Sequence, residues 1–240
     1  MREAGKKLAG ILGVLKNKVQ IGVATSDLEI LAGKLIEESG SEPAFLGYKS
    51  AGSAQAYPYC LCVSINDVVV HGQPSGYVIK DGDIVKVDLG LKFKGFYVDS
   101  AITVGVGKIN NNAQKLISET RKALYKGIRA AQPGKTTGDI GSAIQSYITK
   151  NKLSIVHSLS GHGIGKNLHE EPAVLNFGKP GEGTRLEPGM VIAIEPMVSV
   201  GSGKIKQLAD HSFATQDGSL SAHFEHTVAI TPNGPRVLTA

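Results

Sequence analysis

The sequence predicts an α+β fold built as two similar halves, and three observations point to it. Two amphipathic helical stretches open the chain and two more open its second half. Each pair gives way to short β-rich runs punctuated by Gly, Pro and Asp. Finally, G-V-A-T-S-D-L at Gly22–Leu28 is echoed by G-K-T-T-G-D-I at Gly134–Ile140, with Gly22/Gly134, Thr25/Thr137 and Asp27/Asp139 coinciding at an offset of 112 residues. Two helix–helix–strand units bury their apolar faces by joining. The prediction is one pseudo-twofold domain over 1–240, with halves of about 1–108 and 109–240. Their strands are expected to merge into one antiparallel sheet covered by helices on one face.

Leu8, Ile11, Leu12, Leu15 and Val19 recur at helical spacing, so residues 4–19 are expected to form the first helix. A second helix is expected to start at Ser26, where S-D-L-E has the form of a capping box, and to stop at Gly40. Its buried stripe is Leu28, Leu31, Leu35 and Ile36. Short strands follow from Phe45 to Val104. Residues 113–130 then read as a helix closed by Pro133-Gly134, and another places Ile140, Ala143, Ile144, Tyr147 and Ile148 on one face. Strands return near 153–158, 190–200 and 222–231.

Composition narrows the class without naming a function. The 240 residues are 41% hydrophobic and 20% charged, the chain is long enough for a large core, and no apolar run approaches a membrane span of ~18 residues. No signal-peptide pattern opens it. The net charge of +5 comes from singly scattered Lys and Arg, which argues for a solvated surface over a nucleic-acid patch, although an anionic partner such as the ribosome is compatible with it. Cys60 and Cys62, the only cysteines, should share one strand face at a spacing that suits a disulfide poorly, so a cytoplasmic location is expected.

The chemistry concentrates in acids and histidines set among apolar residues. Asp88 lies in I-V-K-V-D-L-G-L and Asp99 in F-Y-V-D-S-A-I-T-V, two strands joined by K-F-K-G. A turn centred between Phe93 and Lys94 would set Asp88 opposite Asp99, their Cβ atoms ~5 Å apart. At ~4 Å and an effective dielectric near ~20, two such carboxylates repel by ~4 kcal/mol, which bound cations remove. Glu195 in A-I-E-P-M-V and Glu225 in F-E-H-T-V-A-I sit in strand-like runs, where an acid should face a site rather than hydrocarbon. His162 stands among Gly161, Gly163 and Gly165, which permit close backbone approach. Four carboxylates and one imidazole without thiolate suit two Mn, Fe, Co or Zn ions. His71 and His169 remain to handle protons and substrate, while His157, His211, His223 and His226 are expected to be structural.

At these residues the chain resembles the type I methionine aminopeptidases. The carriers are S-I-N-D-V-V-V-H-G, D-G-D-I-V-K-V-D-L-G, Y-V-D-S-A, G-H-G-I-G, L-H-E-E-P, L-E-P-G-M, I-E-P-M-V and F-E-H-T-V, and the match covers essentially the whole chain. The resemblance implies a single catalytic domain with the pita-bread fold, in which a curved antiparallel sheet carries helices on its outer face. It implies a monomer that removes initiator methionine from nascent proteins and peptides with a small second residue. Asp88 would chelate one divalent ion, Asp99 and Glu225 would bridge two, and His162 with Glu195 would hold the other. A bridging hydroxide would attack the scissile carbonyl, with Glu195 shuttling protons. His169 would steady the tetrahedral intermediate and His71 would contact the substrate. Asn66, Val68 and Ser221 match a Na+ or K+ site of some members.

Spacings of 26 residues from His169 to Glu195 and 30 from Glu195 to Glu225 leave no room for the helical insertion of the type II enzymes. Phe45, Tyr48, Tyr57, Cys62, Leu168 and His211 match positions around the methionine pocket. Several features depart from the family pattern: a longer Lys49–Ala56 stretch, Leu168 in place of a Phe, A-D-H where D-G-W is usual, no Trp at all, and a short or missing segment before M-R-E-A-G. These departures predict a pocket wall that is looser, wetter or differently gated. Two alternatives stand beside this reading: an Xaa-Pro aminopeptidase or prolidase on the same fold, and a non-catalytic pita-bread adaptor for the ribosome or nucleic acid.

Overall fold

The helical spacing of Leu8, Ile11, Leu12 and Leu15 becomes the buried stripe of α1 (Arg2–Lys18), the first element of a computed structural model that describes residues 1–49 and 55–240. The first half continues with α2 (Thr25–Glu38), β1 (Glu42–Pro43), β2 (Leu61–Ile65), β3 (Val68–Val70), β4 (Ile84–Phe93) and β5 (Phe96–Gly105). The second half opens with α3 (Asn111–Ala130) and α4 (Thr137–Lys150), then β6 (Ser154–Ile155), β7 (Ser160–Gly163), β8 (Glu170–Leu175), β9 (Val191–Ile194) and β10 (Met197–Ser199). It ends with β11 (Ile205–Gln207), β12 (Phe213–Thr215), β13 (Ser221–His223), β14 (His226–Thr231) and β15 (Gly234–Val237).

The repeated segment builds the same local structure twice. Gly22 and Gly134 both take left-handed backbone, with φ of 87° and 84°, which only Gly adopts freely. Gly22 N–H bonds Ile79 O at 2.9 Å and Gly134 N–H bonds Leu186 O at 2.8 Å; Thr25 N–H bonds Tyr77 O and Thr137 N–H bonds Thr184 O. The helix that follows is capped differently in each half. At α4 the capping box is complete: Thr136 Oγ1 accepts from Asp139 N–H, and Asp139 Oδ2 accepts from Thr136 N–H. At α2 the cap position is Ala24, whose N–H is taken by Asp27, so the box expected at Ser26 does not form. Its Glu29 instead reaches across to the N–H groups of Cys60 and Leu61, at 2.7 and 2.9 Å, satisfying the free donors just ahead of β2.

Hydrogen bonding divides the strands into four antiparallel sheets rather than one ladder: β1-β4-β2 with β5 on β4, β13-β10-β6, β11-β12-β3, and β15-β14-β9-β7-β8. Leu8, Leu12 and Leu28 of α1 and α2 pack on Leu61, Val85 and Leu89, while Leu124 and Ile144 of α3 and α4 pack on Ile192 and Val228. Each such buried side chain contributes roughly 2 kcal/mol. The two layers meet where Thr227 Oγ1 accepts from Asp99 N–H (2.9 Å) and donates to Asp99 O (2.8 Å), and where Ser100 Oγ donates to Glu225 O (2.7 Å).

Two local expectations are corrected here. The β4–β5 turn is Lys94-Gly95, both residues at positive φ (51° and 77°), the two-residue hairpin turn whose twist suits its strands. It pairs Asp99 with Gly90 and Asp88 with Ala101, so the two Asp are diagonal neighbours on one face rather than opposite each other. Cys60 and Cys62, both free, lie in different clusters: Cys60 precedes β2 and joins Leu61 and Val63 on the helix side, and Cys62 packs with Phe45 and Leu168. Among the described residues no helix is long and apolar enough to cross a membrane.

Candidate metal centre

The carboxylates expected from the sequence converge at interruptions of strands. The runs 190–200 and 222–231 are each broken, the first between β9 and β10 at Glu195-Pro196 and the second between β13 and β14 at Phe224-Glu225. Pro196 has no N–H for a ladder, which ends β9 there. Glu225 N–H is held by Ala101 O at 2.9 Å, so β5 fixes the second break directly. The strand-like runs thus carry their acids at a kink, where a side chain can be aimed.

Ligand atoms of Asp99, His162 and Glu225 lie within 4.8 Å of one another, as do those of Glu195, His223 and Glu225. Glu225 therefore joins two adjacent clusters. Asp99 (5% exposed) and Glu225 (2%) are buried, and the side chains of His162 and Glu195 are each 12% exposed. Asp88 shares the face of Asp99. Its Oδ1, Asp99 Oδ1 and Glu225 Oε1 are buried with no hydrogen-bond partner. Such orphaned oxygens are costly unless something outside the chain meets them.

His162 narrows what that partner can be. Its Nδ1 lies 2.8 Å from Gly163 O, a group that can only accept, so Nδ1 carries the proton. Burial first, and His169 second, hold the imidazole down to about 4 and so neutral. Its Nε2 lone pair then faces Glu195 Oε1 at 3.6 Å. A lone pair aimed at a carboxylate is repulsive unless a proton or a metal cation stands between them. Burial pushes Asp99 up to about 7. Burial and then mutual repulsion push Asp88 and Glu225 far above the usual carboxylate range, and burial with Asp99 does the same to Glu195. Four crowded carboxyls and one prepared imidazole fit divalent cations by donor type, charge and unmet bonding. The glycines keep the geometry tight: a Cβ at Gly161 would lie 2.3 Å from Ala193 O, and one at Gly163 would lie 2.2 Å from Glu171 O.

The other expected residues fall into three groups. His169 is stacked edge-on against His162, with ring centroids 4.2 Å apart, and its Nδ1 bonds the Tyr48 hydroxyl. His71, at φ 60°, is exposed and rests against Phe213, with ring centroids 5.8 Å apart. Phe45, Cys62, Leu168, Tyr48 and Tyr57 form one apolar cluster, and Tyr57 Oη donates to Leu61 O and Gly72 O at 3.0 Å each. His211 is not among them; it is exposed at φ 66° in the turn between β11 and β12. Of the Lys49–Ala56 stretch, residues 50–54 lie outside the described residues. Asn66, Val68 and Ser221 do come together, and Lys86 Nζ donates to Asn66 O and Ser221 O at 2.7 and 3.1 Å.

One residue here was expected to be structural. His223 is 1% exposed, neither ring nitrogen has a hydrogen-bond partner, and Nε2 lies 3.4 Å from Glu195 Oε2. Burial, then His71 and Lys86, lower it to about 3, so it is neutral. The signal was its place two residues before Glu225: across the strand break both side chains reach one site, which strict alternation alone did not establish as the functional face.

Comparison with known proteins agrees with this geometry. A model of "Metallopeptidase family M24" matches residues 1–232. A methionine aminopeptidase of Clostridium perfringens is 47% identical over 240 residues, covering 100% of this chain and 94% of the relative. Methionine aminopeptidase 1 of Bacillus subtilis is 43% identical with the same coverage. The crystal structure of methionine aminopeptidase from Thermotoga maritima superposes with a TM-score of 0.95 at 39% identity, covering 100% of this chain and 94% of that one. The prolidase from Pyrococcus furiosus, 22% identical with a TM-score of 0.78, shares the fold over 62% of its length. The mixed helices and antiparallel sheets are those of the pita-bread fold. The chain belongs to metallopeptidase family M24.

Proposed function

We propose that residues 1–240 act as one catalytic domain that removes N-terminal methionine from peptides and nascent proteins with a small second residue. The observation that carries this reading is the set of partnerless buried oxygens on Asp88, Asp99 and Glu225 facing the lone pair of His162. The names of relatives up to 47% identical supply the methionine specificity. In this reading Asp88, Asp99 and Glu225 hold one divalent ion, and Asp99, Glu225, His162 and Glu195 hold a second. Two ions offset the four carboxylates. When bound, they polarise the scissile carbonyl and lower the pKa of water.

The remaining steps belong to side chains. Glu195 sits between two imidazoles, His162 and His223, at 3.6 and 3.4 Å, where its carboxylate can take and return a proton. His169, oriented by Tyr48, presents its other nitrogen to the oxygen of the substrate carbonyl and stabilises the charge that develops there. His71 contacts the substrate across the cleft. Phe45, Tyr57, Cys62 and Leu168 form an apolar cluster whose chemistry suits an unbranched thioether side chain. The reading includes a monomer acting in the cytoplasm.

The test is release of the N-terminal residue from Met-Ala-Ser, Leu-Ala-Ser and Ala-Pro-Ser by chelator-stripped protein given Mn²⁺, Co²⁺, Fe²⁺ or Zn²⁺. Metal-dependent release of Met alone is expected. Release of Ala from Ala-Pro-Ser would favour the Xaa-Pro alternative. No turnover with any metal, despite two bound ions, would favour the adaptor.

A further inference from the structure

Lys86 is a buried ammonium with no carboxylate beside it. It lies on β4, two residues before Asp88, and is 1% exposed, the largest fully buried side chain described. Its Nζ donates to Asn66 O (2.7 Å), Ser221 O (3.1 Å) and Ser221 Oγ (3.3 Å). Ser221 Oγ in turn lies 3.2 Å from Asn66 O and 3.3 Å from Val68 O. Among the described residues no acid oxygen comes within ion-pair distance of Lys86, so its direct partners are oxygen dipoles.

Carbonyl oxygens brought to one point repel each other, and away from water a cation or hydrogen-bond donors at that point make the arrangement favourable. We propose that Lys86 is a tethered cation: its ammonium fills a monovalent-ion site formed by oxygens of Asn66 and Ser221, so the protein needs no free Na+ or K+ there. The oxygens facing it favour the charged form, since backbone carbonyls have no proton to give. A tethered charge has no dissociation equilibrium and cannot be washed out. It also ties three pieces together: β4, which carries Asp88, the β2–β3 turn at Asn66, and β13, which leads through His223 to Glu225. The metal-facing strands are thereby fixed independently of salt. This inference stands on the packing of Lys86 and not on the reaction.

The test is thermal unfolding of the Mn²⁺-supplied protein and of Lys86→Ser in NaCl, KCl or tetramethylammonium chloride at equal ionic strength. The parent should unfold at the same temperature in all three salts. Lys86→Ser removes the ammonium and leaves room among the same oxygens. It should unfold earlier in tetramethylammonium and recover by about 5–10 °C, saturably, once Na+ or K+ exceeds its dissociation constant about 100-fold. A selective, saturable response of the parent to Na+ or K+ would overturn the proposal, because a free ion would then share the site. So would a folded Lys86→Ser that does not distinguish the salts. If Lys86→Ser folds in no salt, the parent decides alone: an unchanged unfolding temperature supports the tethered cation and a selective rise refutes it.

Discussion

Replacing Asp99 by Asn should have opposite effects with and without metal. In the metal-free fold, burial raises the Asp99 carboxyl from its ordinary 3.8 to about 7. Each tenfold displacement of a proton equilibrium corresponds to ~1.4 kcal/mol, so holding Asp99 ionised in the fold costs about 4 kcal/mol at most. The folded carboxyl binds its proton more tightly than the unfolded one, so its cost is absent below pH ~4 and complete above pH ~7. Chelator-treated Asp99→Asn should therefore be more stable than the chelator-treated parent by about 2–4 kcal/mol at pH 8. That advantage should vanish by pH 4. Comparing the two proteins cancels the opposing contribution of the buried neutral imidazoles of His162 and His223, which both retain. With Mn²⁺ added the order should reverse, because the parent gains the binding energy and the variant has lost a shared ligand. Urea unfolding at pH 4, 6 and 8, with metal content by mass spectrometry, tests all of this. A metal-free variant no more stable than its parent at pH 8 would refute the idea that these carboxylates are held together at a cost that cations remove.

Three further outcomes follow. His169→Ala should lower turnover by at least 100-fold while two ions remain bound; loss of metal instead would make His169 a ligand. His223→Ala should weaken metal binding by about 10- to 100-fold in a calorimetric titration through loss of the imidazole beside Glu195, and unchanged affinity would return His223 to a packing role. Thr227→Val removes both hydrogen bonds that clamp the Asp99 backbone and should cost about 1–3 kcal/mol in urea unfolding, whereas a loss below ~0.5 kcal/mol would mean that another group takes them over.

What the sequence carried was local chemistry and the order of motifs. Helix periodicity placed α1 to α4 within a few residues, since an amphipathic stripe depends only on the spacing of its own side chains. The glycines around His162 announced tight approach, and the backbone oxygens against Gly161 and Gly163 show which groups approach. The hairpin register failed for a local reason. The sequence reading centres the turn between Phe93 and Lys94, whereas the left-handed backbone of Lys94 and Gly95 puts it one residue later. A Lys at that position is a weak signal beside the Asn or Asp such turns prefer.

Tertiary structure decided where separately encoded groups meet. Asp88, Asp99, His162, Glu195 and Glu225 were each visible as acids or imidazoles in apolar or glycine-rich surroundings, and the resemblance grouped them. The break at Phe224 that aims Glu225 is held by Ala101 of β5 and exists only in the fold, whereas the one at Glu195 follows from Pro196 itself. His223 and Lys86 looked like a core histidine and a strand lysine. Their meaning depends on partners far off in sequence: Glu195 is 28 residues from His223, and Ser221 is 135 from Lys86. His211, counted with the pocket by its motif, is exposed in a turn, because motif position does not fix where a side chain ends. The type and spacing of residues fixed the elements and the donor set. The burial that leaves oxygens without partners, and so calls for cations, is a sum over both halves of the chain that no single segment contains.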